Sequence, residues 1–304
     1  MKLLISLSTR NRPQKLLETI RISMANWTDP NTTLTIHADA DDYATLGMVT
    51  DTKLDPRIKV NVQKREDTIA AKWNRSMSEP ADVYAIAADD DPVITPGYDT
   101  KILEAAKLFP DGIGMVYGHM SNVSFSSIMC PTRRWVEVLG YIVPEYFPYW
   151  FCDHWIDDIG RMTNRIVHAD IRSDQRAVGT TQEMREPAWW GTWFDAAKLI
   201  RRADADKLIA ALDETEMTKA RLRTLYMRVE HYSKWVNDNV RMNSRGWELT
   251  LTQSSQDERY KRVRDAAVAL MPKMFEGMDL AEARMFSEAL APPSTIVSFP
   301  RAFG

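Results

Sequence analysis

Cysteine is nearly absent from this chain: Cys130 and Cys152 are the only two in 304 residues. That excludes the disulfide framework of a small secreted domain and points to a reduced, intracellular setting. Neither sign of charge dominates, with 39 basic against 42 acidic side chains and a formal net charge of −3, so a chain that coats nucleic acid wholesale is excluded as well. Long apolar runs are missing. The stretch Leu3 to Leu7 meets Arg10 and Arg12 at once and falls far short of a signal segment or of the about 20 residues of a membrane span. The expectation is a cytoplasmic protein with no membrane span. Glycine is sparse too, and none stands between Ser8 and Pro13. What the chain does have is 44% hydrophobic and 10% aromatic residues, enough for a sizeable core, with no repeat or low-complexity tract.

The first half alternates strand and helix signals. Leu3 to Ser8 reads as a strand, and Pro13 opens a helix with Leu16, Leu17, Ile20, Met24 and Trp27 on its apolar face. Strands follow at Leu34–Ala38, Ile58–Val62, Val83–Ala88 and Gly114–Tyr117, with helices expected over 67–77 and 97–109. Such alternation predicts an α/β fold with a mostly parallel sheet, in which ligands bind beyond the carboxyl ends of the strands. Thr9-Arg10, Asp39 to Asp42 and Asp89 to Asp91 all fall at such ends. Beyond about residue 195 the signals are helical only, as in Leu222, Leu225, Tyr226, Val229, Tyr232 and Val236, or Tyr260, Val263, Ala267 and Leu270. Two units are expected, a catalytic domain over 1–195 and a helical extension over 196–304. Residues 198–264 carry 15 basic and 10 acidic side chains, a local +5 that reads either as a solvated face or as a docking surface for an acidic partner.

The most informative cluster is Asp89-Asp90-Asp91. Three adjacent carboxylates repel one another unless a cation or solvent offsets them, and an all-oxygen ligand set suits Mg²⁺ or Mn²⁺. Strand alternation would aim Asp89 and Asp91 together, with Asp90 pointing away. An acidic turn before Pro92 is the plain alternative.

Several segments together resemble the family 2 glycosyltransferases of the GT-A fold. Ile5-Ser6-Leu7-Ser8-Thr9-Arg10-Asn11-Arg12-Pro13 looks like the family's first strand and loop. Asn74, in Ala71-Lys72-Trp73-Asn74-Arg75, is similar to the asparagine of the helix before the metal strand. Asp89-Asp90-Asp91 with Pro96-Gly97-Tyr98 resembles the DxD motif and the Pro-Gly after it. Arg133-Arg134-Trp135 through Gly140-Tyr141 resembles the family's Arg-Arg helix. The resemblance covers about residues 3–170. It implies a nucleotide-diphospho-sugar transferase sheet and a metal-dependent, inverting, hexosyltransferase-like activity with a UDP-sugar as the donor. It further implies Mn²⁺ or Mg²⁺ on Asp89 and Asp91, with His168 near where many GT-A enzymes place a metal-binding histidine. Thr9, Arg10, Asp39 or Asp41, Arg65, Asn74, Asp89 and Asp90 become the candidates for nucleotide contact. The catalytic base falls on Asp153, with Asp157 as the alternative, because Cys152 stands where the family has glutamate.

Tryptophans at 150, 155, 189, 190 and 193 read as core or as stacking platforms, and Gly179 to Gly191 as a loop over the donor. Two other classes are weighed. A nucleotidyltransferase shares acidic metal ligands but needs a glycine-rich loop after the first strand, which Ser8 to Pro13 lacks. A non-catalytic nucleic-acid-binding or scaffold protein would use the basic arm around Arg221, Arg223, Arg228 and Lys234. The acceptor itself is unassigned, with a polyanion such as modified DNA among the options.

Overall fold

Strand β1 (Leu3–Ser8) is buried along its whole length. Leu3, Ile5 and Leu7 enter one apolar cluster with Leu16, Ile20 and Ile102, while Leu4 enters a second with Trp73, Tyr84 and Ile86. Successive strand side chains leave on opposite faces, so a strand covered on both sides needs this kind of run. β1 lies between β2 (Thr33–Asp39) and β4 (Val83–Ala88), with β3 (Ile58–Gln63) beyond β2, in the order β3-β2-β1-β4 and all parallel. The register aligns Ser8 with His37 and Ala88, and Asp39 with Gln63, so all four strands end on one edge. The computed structural model describes residues 1–120, 127–148, 151–174, 187–225 and 258–290.

A second sheet has β5 (Met115–Met120) at its centre, antiparallel to β6 (Ile128–Pro131) and parallel to β7 (Ile166–Ser173). A bridge between Val83 and Thr132 links it to β4. Connecting helices are α1 (Pro13–Ala25), α2 (Tyr43–Asp51), α3 (Ile69–Asn74), α4 (Tyr98–Ala106), α5 (Arg133–Leu139) and α6 (Cys152–Met162). Several bounds differ from the sequence reading for local reasons. The helix expected over 67–77 starts only after Thr68, whose hydroxyl accepts from Ala71 N at 3.0 Å, and turns into a 3-10 segment at Arg75–Ser78. The helix expected from 97 begins at Tyr98, because Gly97 takes φ +67° as its N-cap, a conformation that favours glycine. Trp27 stands outside α1, where its ring lies under the Arg57 guanidinium at 5.0 Å.

From residue 187 the described chain is helical: α7 (Pro187–Ala196), α8 (Lys198–Ala211), α9 (Glu216–Arg223), α10 (Glu258–Ala269), α11 (Met271–Phe275) and α12 (Leu280–Leu290). Their apolar faces join the cluster that holds Trp155, contributing Trp190, Trp193, Leu208, Tyr260, Val263, Met274 and Phe286. The rings interlock. Phe147 meets Trp193 edge-on at 5.2 Å, and Trp155 stacks on Trp193 at 6.3 Å. Inside this aromatic cluster the buried Arg201 pairs with Asp158 at 3.1 Å and lies over Phe194 at 3.8 Å. Trp155, Trp189, Trp190 and Trp193 are therefore core, whereas Trp150, residues 179–186 of the expected loop, Arg228 and Lys234 lie outside the described residues. No helix among the described residues is long and apolar enough to cross a membrane.

Trp193→Ala empties the centre of this aromatic packing and is expected to cost about 3–5 kcal/mol of unfolding free energy. Chemical denaturation of the variant beside the wild type measures it, and a loss below about 1 kcal/mol would contradict the packing described.

Candidate active site

The carboxyl edge of the parallel sheet gathers acids from the ends of β2 and β4, and bases from the first loop and α3 hold them there. Thr9 Oγ1 donates to Asp89 Oδ2 at 2.7 Å, and Arg12 Nη1 lies 3.0 Å from Asp89 Oδ1 and 2.6 Å from Asp90 Oδ2. Arg10 spans the next pair, with Nη1 at 2.8 Å from Asp39 Oδ2 and both Nη atoms on Asp41 at 2.6 and 3.0 Å. Lys72 reaches the same edge from α3: its ammonium sits 2.8 Å from Asp39 Oδ2 and donates to Thr9 O at 3.2 Å. Asn11 takes φ +54° and donates its N–H to Asp42 Oδ2 at 2.8 Å, and Asp42 also caps α2.

Six nucleotide candidates, Thr9, Arg10, Asp39, Asp41, Asp89 and Asp90, are thus in one bonded network. Hydrogen bonding from Arg10 holds the exposed Asp41 at about 2. Burial pulls Lys72 below its usual range, against the pull of Asp39. Asp39 is fully buried, and its Oδ1 has no hydrogen-bond partner. Arg65 follows β3 on the same edge, near Arg10, Asp39 and Asp41. Asn74 stands elsewhere. Its amide donates to Val143 O at 2.9 Å and Glu145 Oε1 at 2.8 Å, and its Oδ1 accepts from Ile142 and Val143 N–H, which pins the loop after α5.

The acidic triplet is arranged differently from the strand alternation expected. β4 stops at Ala88, so all three aspartates lie in the turn that follows, and Arg12 joins Asp89 to Asp90 instead of leaving Asp89 beside Asp91. Asp91 faces β7. The bridge Val93–Ser173 and the bond from Asp174 N to Pro92 O at 2.9 Å bring that strand's end against it. Burial pushes Asp91 up to about 6, with the Ser173 hydroxyl beside it pulling the other way and Asp90 adding to the rise. Its Oδ1, like Ser173 Oγ, is a buried atom with no hydrogen-bond partner. Asp89 is also raised, mainly by burial, although Arg12 and Thr9 offset this.

Among the described residues no three His, Cys, Asp or Glu side chains converge as metal ligands, so Asp89, Asp91 and His168 do not form a closed set. His168 is exposed on β7, packed on His119 at 4.7 Å and Tyr117 at 5.1 Å. Burial and the neighbouring His119 lower its pKa. A divalent ion of the Mg²⁺ type needs only one or two protein carboxylates when phosphate oxygens and water complete its shell. The unmet Oδ1 of Asp91 fits such a single anchor.

Asp153 stands in the first turn of α6 and is mostly covered rather than exposed, with His154 beside it: Oδ1 accepts from His154 N and faces Nδ1, each at 2.9 Å. Burial pushes this carboxyl up, but His154 outweighs it and holds Asp153 below its usual range. His154 is raised in return, the attraction of Asp153 exceeding the effect of burial. Asp157, one turn on, is held by Arg161 through both Nε at 2.6 Å and Nη2 at 3.1 Å. Sequence reasoning missed Lys72, Arg12 and Ser173 as members of this site. Lys72 left a signal, a lone cation between Ala71 and Trp73 on a buried helix face. Ser173 left none, since only strand pairing brings it to Asp91.

No family model matches the sequence, and no curated protein is similar to it in sequence. Solved structures are similar in fold. S. aureus TarS 1-349 in complex with UDP-GlcNAc matches over 95% of this chain and 86% of that one, with a TM-score of 0.55 at 12% identity. The same protein in complex with UDP matches over 95% and 91%, with a TM-score of 0.52 at 13% identity. This agrees with the GT-A fold expected from the first loop and the acidic triplet.

The raised carboxyl of Asp91 has a measurable cost. With an ordinary value of 3.8 and a folded value of about 6, its share of stability is largest below pH 3.8 and is lost as pH rises toward 6. Above that, ionising it costs the ligand-free fold up to about 3 kcal/mol. Asp91→Asn is expected to raise the melting temperature at pH 7.5, with the gain vanishing by pH 4. A gain that does not change with pH would contradict the assignment.

Proposed function

We propose that this chain is a glycosyltransferase that moves a sugar from a nucleotide-sugar donor, a UDP-sugar, to an acceptor hydroxyl with inversion at the anomeric carbon. The observation that carries the reading is the buried, unmet Asp91 Oδ1 at the end of β4, on the same strand edge as Asp39, in a fold shared with a protein solved with UDP-GlcNAc and with UDP. Asp39 Oδ1 offers an acceptor to an N–H of the base, and Thr9 and Arg10 line the strand edge between base and diphosphate. Asp91, with Ser173 and water, would hold Mn²⁺ or Mg²⁺. The ion would neutralise charge developing on the leaving diphosphate.

Asp153 is assigned the role of base. The acceptor oxygen forms its bond to the anomeric carbon as the carbon–oxygen bond to the diphosphate breaks, and the hydroxyl proton passes to the Asp153 carboxylate. A carboxylate held ionised beside His154 is ready to receive it at neutral pH. Asp157 is engaged by Arg161, which favours a structural part for it, and Asp89, bonded to Thr9 and Arg12, orders the loop around Asp91.

Two measurements test this reading. Thermal shift with nucleoside diphosphates and Mn²⁺ is expected to stabilise the wild type, by about 2.7 kcal/mol at a hundred times Kd, and to lose its metal-linked part in Asp91→Ala. Equal stabilisation with and without metal would refute the role of Asp91. Asp153→Asn is expected to lower kcat by about 10² to 10⁴ with donor affinity unchanged, while Asp157→Asn mainly lowers stability. Wild-type turnover in a folded Asp153→Asn would remove that assignment.

A further inference from the structure

At the far end of the strand edge from Asp91, the acids are already held by other cations, and the half-buried Arg65 is left without an ion pair among the described residues. Glu66 is taken by Arg75, with 3.1 and 2.9 Å contacts, and Arg75 also donates to Lys64 O at 2.8 Å. Asp67 is taken by Arg262 of α10, whose Nε lies 2.9 Å away. Asp39 and Asp41 are taken by Lys72 and Arg10. Arg65, half-buried in the middle of this group, has no ion pair or hydrogen bond among the described residues.

The Arg262–Asp67 pair lays α10 along the loop after β3. Arg259, three residues back, shares that helix face. Arg259 and Lys64 both act on Asp67 along with Arg262, which places these bases together. Burial lowers Arg65, Arg259 and then Arg10 lower it further, and the opposing pull of Asp39 and Asp41 does not make up the difference. A guanidinium in that position presents its planar fork to a phosphate or similar oxyanion.

Which molecule carries the phosphate follows from strand order. Arg65 leaves β3 and Asp91 follows β4, three strand spacings or roughly 14 Å apart across the sheet. The donor diphosphate belongs at the Asp91 end. We propose that Arg65 and Arg259 form a second anion site, which takes a phosphate group of an extended, negatively charged acceptor. The assignment to an acceptor rests on the glycosyl-transfer reading, but the site itself does not.

Isothermal titration of the full chain with inorganic tripolyphosphate, without divalent cation, tests the site, because the acidic turn at the Asp91 end then repels the probe. Arg65→Ala and Arg259→Ala are each expected to weaken tripolyphosphate binding by about tenfold, the size expected for one charge-assisted bond. In Arg259→Ala, UDP affinity in the presence of Mn²⁺ should change by less than about twofold. Arg65→Lys, which keeps the charge, guards against a folding defect and should weaken binding less than Arg65→Ala. Unchanged tripolyphosphate affinity in both alanine variants would overturn the site. A parallel loss of UDP affinity would overturn its assignment to a second molecule and return it to the donor. A wild type that binds tripolyphosphate but no nucleoside diphosphate would refute the nucleotide reading while leaving the site standing.

Discussion

The alignment of four parallel strand ends concentrates carboxylates on one edge, and that charge must be neutralised for the fold to hold. Asp39 and Asp89 are almost fully removed from solvent, where an uncompensated carboxylate would cost several kcal/mol. Arg10, Arg12 and Lys72 meet this need at hydrogen-bond distance. They are also selective. Arg12 and Thr9 occupy Asp89, Arg10 and Lys72 converge on one oxygen of Asp39, and both Asp39 Oδ1 and Asp91 Oδ1 are left unmet. The edge is neutral enough to fold and still leaves two buried carboxylate oxygens without a partner, one beyond β2 and one beyond β4.

The apolar core is built to hold that edge rigid. β1 is buried on both faces, which fixes the register of β2 and β4 on either side of it, and a slip of one residue would turn Leu3, Ile5 and Leu7 to the wrong face. Ser6 and His37 are part of the same constraint: the His37 ring bonds Ser6 Oγ at 3.1 Å and Ser76 Oγ at 2.8 Å beneath the edge, and burial, with Arg75 and Lys72 nearby, keeps its pKa near 4. A neutral imidazole there adds no charge to a layer already crowded with ions. Asn74 extends the support to the loop before α6, and α6 carries Asp153.

The helices after residue 187 are joined to this frame through one apolar cluster, with Arg201 and Asp158 neutralising each other inside it. Their second effect is electrostatic. α10 is fastened to the loop after β3 by Arg262 and Asp67, so that Arg259 faces the segment that already holds Lys64 and Arg65. The positive balance of this part of the chain thus acts at one definite place, beside the strand edge.

Local pattern determined much of this protein. Buried strand runs, the helix opened by Pro13 and the acids beyond β2 and β4 follow from periodicity and residue chemistry within a few neighbours, and together they carry the α/β class and the position of the acidic strand edge. The helical periodicity of Tyr260, Val263 and Ala267 was equally legible, and all three are buried. Tertiary structure alone decided the pairing. Nothing local to Asp89-Asp90-Asp91 says that Arg12 joins the first two aspartates, or that Ser173, 82 residues beyond Asp91, meets the third. Nor does it say that Arg75, Arg262, Lys72 and Arg10 claim every acid around Arg65. A side chain's charge is a property of its type, but its neighbours, its solvent and therefore its free energy are set by chain segments distant in sequence, which only the folded structure brings together.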